Sequence, residues 1–167
     1  MKNKFIAKPK AVIFALFIAL TANFFAINQT VLSKSYADDE YQIFELVNVE
    51  RHRSGLNDLD WDENLARVAR RYSEKMLKEN FFDHADFNGK TVVDRAKDSR
   101  IKDWRKIGEN LFYCEGYRNF DAVAIKGWMK SATHRQNILD GDWTATGIGI
   151  AKSKDGRIYV TQVFIED

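Results

Sequence analysis

The chain has 167 residues, enough for one globular domain, with 45% hydrophobic and 30% charged residues and a formal charge of +2. Residues 1–37 hold five lysines and no acid, so the rest carries 21 basic against 24 acidic groups, about −3. The basic balance therefore belongs to the leader, and the remainder lacks the basic stripe that nucleic-acid binding requires.

The leader MKNKFIAKPK is cationic, and the 17 residues AVIFALFIALTANFFAI that follow are apolar apart from Thr21 and Asn23. Ser35 and Ala37 stand at −3 and −1 before the acidic run Asp38-Asp39-Glu40. This pattern predicts a secretory signal peptide over residues 1–37, cut after Ala37. An uncleaved membrane anchor is the alternative, since a span needs about 20 apolar residues. Either way the folded part, residues 38–167, faces outside the cytoplasm, and it meets a membrane only through the leader. With Cys114 alone, no intrachain disulfide forms. About 130 residues suffice to bury a core without one.

Residues 40–53 place Tyr41, Phe44 and Val47, or Ile43, Leu46 and Val47, along one helical side. Leu65, Val68, Ala69, Tyr72 and Met76 fall at helical spacing over 62–79, with Asp60 and Glu63 resembling a capping box. A short helix is expected around 91–98. Residues 107–114 alternate, with Glu109, Leu111 and Tyr113 on one face and Phe112 and Cys114 on the other. Helical spacing returns over 119–130 through Val123, Ala124, Gly127 and Trp128. Residues 145–152 and 157–165 read as a hairpin about Asp155-Gly156. In its second strand Ile158, Val160 and Phe164 point one way, and Tyr159, Val163 and Ile165 the other, so a layer must cover each face. Gly147 and Gly149 share a face and allow close approach. The expected fold is α+β, a small antiparallel sheet held between helices.

Three histidines carry the chemistry to be weighed. His52 lies among charges near a helix end and reads as solvated. His84 follows two aromatics at the start of a loop. Glu109 sits at a strand position where a buried carboxylate needs a cation or donors; an arginine such as Arg135 or an imidazole would supply them. His134 follows Ser131 by three, but a serine after a helical run is ordinarily a cap, and no Gly-rich nucleophile elbow surrounds it. No catalytic nucleophile is assigned. The residues alone support two imidazoles and a carboxylate that could converge, or a structural polar cluster tying loops to the sheet.

Five segments in order carry a resemblance: LVNVERHRSGLNDLDWDENLARVARRYSEKM, FFDHAD, KIGENLF, GWMKSATHRQNIL and TGIGIAKSKDGRIYVTQVF. Together they resemble the CAP superfamily (cysteine-rich secretory proteins, antigen 5 and group-one pathogenesis-related proteins), and most of all its bacterial SCP-like extracellular branch. The resemblance spans about residues 42–165 and implies a three-layer α-β-α sandwich. It implies a cleft with His84 and His134 as its histidines and Glu109 as the acid of its Gly-Glu-Asn strand. The family's second acid falls here on Ser131, which thins the charge set, and Ala132-Thr133 stand where many bacterial members have Pro-Gly. The expected function is that of an exported CAP-domain protein whose cleft (His84, Glu109, His134) binds a divalent metal such as zinc. Its expected partner is a lipid, cell-wall or protein ligand outside the cell. A metal-assisted hydrolase of peptide or cell-wall material and a lipid- or sterol-binding module are the alternatives.

Overall fold

Helix α2 (Glu63–Glu79) shows how local sequence becomes architecture. Asp62 is its N-cap, its carboxylate accepting from the N–H groups of Asn64 at 2.6 Å and Leu65 at 3.0 Å. The cap is thus Asp62, not Asp60: Asp60 and Trp61 form the short strand β1 (Asp60–Trp61), and a strand residue has no helix N–H in reach. Leu65, Val68, Ala69, Tyr72 and Met76 form the buried stripe. The helix stops where Asn80 takes a left-handed conformation, φ 54°, which asparagine tolerates better than most side chains.

The computed structural model describes residues 37–167. The expected signal peptide or anchor lies outside the described residues except for Ala37, where the first helix, α1 (37–53), is already helical. Ile43, Phe44 and Val47 of α1 are buried while Tyr41 is half exposed, so its inward stripe combines parts of both sequence readings. The remaining elements are α3 (Val92–Asp98), β2 (Lys106–Glu115), α4 (Phe120–Lys130), α5 (Ala132–Ile138), β3 (Ala145–Lys152) and β4 (Arg157–Glu166).

The sheet runs β1-β3-β4-β2, with β3–β4 and β2–β4 antiparallel. A two-residue parallel pairing of β1 with β3 extends it. β4 is central and covered on both faces. Ile158, Val160 and Phe164 pack with Ile43 and Val47 of α1, Trp128 of α4 and Ile138 of α5. On the other face Val163 and Ile165 meet Leu65, Val68 and Ala69, and Tyr159 meets Tyr72 and Met76. The result is three layers: α1, α4 and α5; the sheet; α2 and α3.

Two contacts fix the layers. At Gly147 a Cβ would lie 2.1 Å from the Ala66 nitrogen, and at Gly149 it would lie 1.9 Å from the Arg70 nitrogen, so α2 lies directly on the β3 backbone. On the opposite layer the fully buried Arg51 of α1 donates to the carbonyls of Asn57, Ile138 and Asp140 at 2.7–2.9 Å. It thereby pins the C-terminal end of α5, whose last carbonyls have no intrahelical donors.

β2 is an edge strand, and its edge is blocked. Trp128 Nε1 donates to the Leu111 carbonyl at 2.9 Å, and Asn137 Nδ2 donates to the Glu109 carbonyl at 3.2 Å. Side chains from α4 and α5 thus occupy positions another strand would need. They also draw α5 against the strand that carries Glu109.

Candidate functional site

His84 belongs to the loop after α2, and that loop is tied down at both ends. The Tyr72 hydroxyl donates to the Asp83 carbonyl at 2.6 Å, and burial pushes the Tyr72 phenol up to about 12, so it stays a donor. Asp86 closes the far side. One of its oxygens accepts from the N–H groups of Asn88 and Lys90, and the other from the Lys75 ammonium at 2.8 Å. The Lys75 contact, with those backbone donors, holds the Asp86 carboxyl down at about 2.

Between these ties His84 Nδ1 lies 2.9 Å from Glu109 Oε1. A carboxylate only accepts, so Nδ1 carries the proton and Nε2 is left to the solvent side. The Glu109 side chain is 3% exposed, and that of His84 is 58%. The other Glu109 oxygen, Oε2, accepts from Arg95 Nη2 at 2.5 Å. Arg95 comes from α3, whose start is fixed by Thr91: its N–H and hydroxyl both donate to Asp94 at 2.9–3.0 Å. The arginine that satisfies Glu109 is therefore Arg95 and not Arg135. α3 packs on the same side of the sheet as the Glu109 side chain, whereas Arg135 sits on α5 in the opposite layer.

His134 occupies the middle of α5. Its carbonyl accepts from Asn110 Nδ2 at 3.2 Å, and Asn110 Oδ1 accepts in turn from Asn137 Nδ2 at 2.9 Å. Alternation along β2 sends Glu109 to the α2 layer and Asn110 to the α5 layer. The two histidines belong to opposite layers, His84 to the loop after α2 and His134 to α5. Burial, with the charge of His84 added, holds His134 below its ordinary range. His84 is raised above that range, chiefly by its hydrogen bond to Glu109. Two like side chains are thus pulled in opposite directions, one favouring the imidazolium and the other the neutral ring.

His84 and Glu109, both singled out in the sequence, meet directly; His134 is linked to their strand through its carbonyl, which accepts from Asn110. Ser131 is the cap shared by α4 and α5, its hydroxyl 3.3 Å from that of Thr133. His52 is exposed on α1. The sequence reading missed Arg95, Asn110 and Asn137. Asn110 directly follows Glu109, and the burial of an asparagine in an apolar strand was the available signal. Among the described residues no group of three or more His, Cys, Asp or Glu side chains is placed to hold a metal ion.

The profile of the cysteine-rich secretory protein family, CAP, matches residues 44–164. An uncharacterized membrane protein of Bacillus subtilis, YlbC, is 35% identical over 141 residues, 84% of this chain and 38% of its own length. A second uncharacterized B. subtilis protein, YkwD, is 37% identical over 126 residues, 75% of this chain and 46% of its own length. The chain therefore spans less than half of these curated relatives. An extracellular SCP-domain protein of Bacillus anthracis superposes with a TM-score of 0.66 at 31% identity, over 79% of this chain and 41% of that one. An outer surface protein of Borrelia burgdorferi shares the fold at 22% identity and a TM-score of 0.68, over 77% of this chain and 92% of that one. The profile takes in every helix and strand of the sandwich, with α1 and β4 matched in part, together with His84, Glu109 and His134, so the chain belongs to the cysteine-rich secretory protein family, CAP.

Proposed function

We propose that this CAP domain is exported and acts outside the cytoplasm as a binding module, engaging its ligand at the two imidazoles on the edge of β2. The leader pattern and the extracellular B. anthracis relative support export. Among the described residues no helix is long and apolar enough to cross a membrane.

The ligand this pair suits is a divalent cation of the zinc type, which takes neutral imidazole nitrogens. One observation carries the reading: His84 Nδ1–H donates a hydrogen bond to Glu109 Oε1 at 2.9 Å. Metal-binding imidazoles are commonly oriented by a carboxylate in this way, with the other nitrogen left for the metal. Glu109 thus fits as the group that aims His84, and His84 with His134 fit as the ligand pair. A bound zinc ion would supply Lewis acidity or bridge the cleft to a partner's donor groups. The chain's own residues fix the His84 tautomer and keep His134 neutral.

Calorimetric titration of zinc into the purified protein tests this. Wild type is expected to bind, and His84→Ala and His134→Ala are each expected to lose most of the heat. Equal heats from all three proteins remove the reading.

A further inference from the structure

Helices α1 and α4 carry more apolar surface than the sheet covers. Ile43, Phe44 and Val47 of α1 are buried, but beside them Leu46 is only half-buried and Val49 is 42% exposed. On α4, Ala122 is exposed and Met129 half-buried. Leu46, Ala122, Ile125 and Met129 line an apolar groove of about 380 Å³ between the two helices. Its two sides differ in charge. Glu50 lines the α1 side, with Glu45 exposed on the same helix, and Lys126 and Lys130 line the α4 side. Arg53 offsets one of the acids by pairing with Glu50 at 2.6 Å, an exposed contact of small worth. Among the described residues neither lysine has an acidic partner.

We propose that a second copy of this chain docks in the α1–α4 groove, forming a two-fold dimer in which the outer ridge of each α1 seats between α1 and α4 of its partner. The groove calls for an apolar ridge flanked by acids, to fill its floor and meet its two lysines. α1 is itself such a ridge, with Val49 at its crest and Glu45 and Glu50 on its flanks. One surface thus supplies both halves of the contact, as a two-fold interface requires. Ridge meets groove twice, and the acids of each α1 come to lie against unpaired lysines across the interface. The helices are about 25 Å and about 16 Å long at 1.5 Å per residue. A face of that size offers roughly half the ~800 Å² per partner of a standard interface, so the dimer belongs to the weak, reversible class. The proposal is independent of the imidazole pair, which lies on the β2 edge.

Sedimentation equilibrium of the full chain tests this, with circular dichroism to follow the fold. The average mass of wild type is expected to rise towards twice the monomer value between about 10 µM and about 1 mM, and to fall back at high salt. Lys126→Glu/Lys130→Glu and Glu45→Lys/Glu50→Lys each give both sides of the contact the same sign, and each is expected to stay monomeric. An equimolar mixture of the two variants is expected to recover the dimer, because each supplies the charge that the other has lost. Wild type that remains monomeric at about 1 mM overturns the proposal. So does association that both variants retain, since contact through any other surface is indifferent to these charges. A mixture no more associated than its components overturns it too, as does a monomer whose native mass spectrum shows a small amphiphile occupying it in place of a second chain.

Discussion

The centre of the sheet and its β2 edge are built on different principles. At the centre, α2 rests on β3 with no side chain between, because Gly147 and Gly149 leave the helix backbone where a Cβ would be. At the edge, the contacts are long polar side chains reaching across a gap: Arg95 and His84 to Glu109, Asn137 and Trp128 to strand carbonyls. The centre is fixed chiefly by shape, with buried Glu40 bridging Arg70 of α2 and the Ile150 N–H of β3. The edge is fixed by hydrogen bonds and charge, and there the imidazoles have room and a solvent side. Side chains from both helical layers reach β2 at this edge, Arg95 and His84 from one and Asn137 and Trp128 from the other.

If the centre is held by shape, changing shape there should cost the most. Gly149→Val places a side chain within 1.9 Å of the Arg70 backbone nitrogen, and helix backbone has no rotamer by which to yield. We expect a loss of more than about 3 kcal/mol, the upper range for overpacking a core. The urea midpoint reads it directly. A loss under about 1 kcal/mol would mean that α2 can lift off β3, and the contrast between centre and edge would be gone.

At the edge a smaller loss is expected, with the site itself disturbed. Asn137→Ala removes the donor to the Glu109 carbonyl and to Asn110 Oδ1, leaving buried acceptors unpaired. The expected cost is about 1–2 kcal/mol. The Asn110 and His134 amide resonances should shift, while those around Gly149 stay in place. Equal perturbation of both regions would show that edge and centre are one cooperative unit.

The same contrast governs what could be read from the sequence. The centre was legible: apolar spacing gave the α2 stripe, two-sided apolarity gave β4 its central position, and paired glycines on one strand face gave the close approach. These are local patterns of period 2 or 3.6. The edge was legible only in part. His84, Glu109 and His134 stand out by residue type and by resemblance, but Arg95 does not. It lies on the seven-residue helix VVDRAKD, with Ala96 its only buried residue, and reaches Glu109 from 14 positions away. No periodicity records such a reach. α5 was missed for a related reason: in ATHRQNI only Ile138 is buried, so no stripe marks the helix. The N-cap slipped from Asp62 to Asp60 because two aspartates bracket Trp61, and only the β1 pairing assigns one of them to a strand.

The subtlest consequence is in pH. His84 is raised by its bond to Glu109, and His134 is lowered by burial and by the His84 charge. A raised imidazole stabilises the fold fully below the unfolded value near 6.5, and that contribution fades as pH rises through the raised folded value. A lowered imidazole does the opposite: its contribution is present above about 6.5 and lost as pH falls through the folded value. The two therefore oppose each other in overall stability. With His84 more than half exposed, solvent screening shrinks its share further, so a melting curve is a poor probe. Histidine ring resonances are the right one. They should show two separate titrations, His84 above 6.5 and His134 below it. Glu109→Gln should bring His84 down towards His134 by removing the carboxylate that holds its proton. Two rings titrating together in the wild type would mean that the edge does not distinguish its histidines.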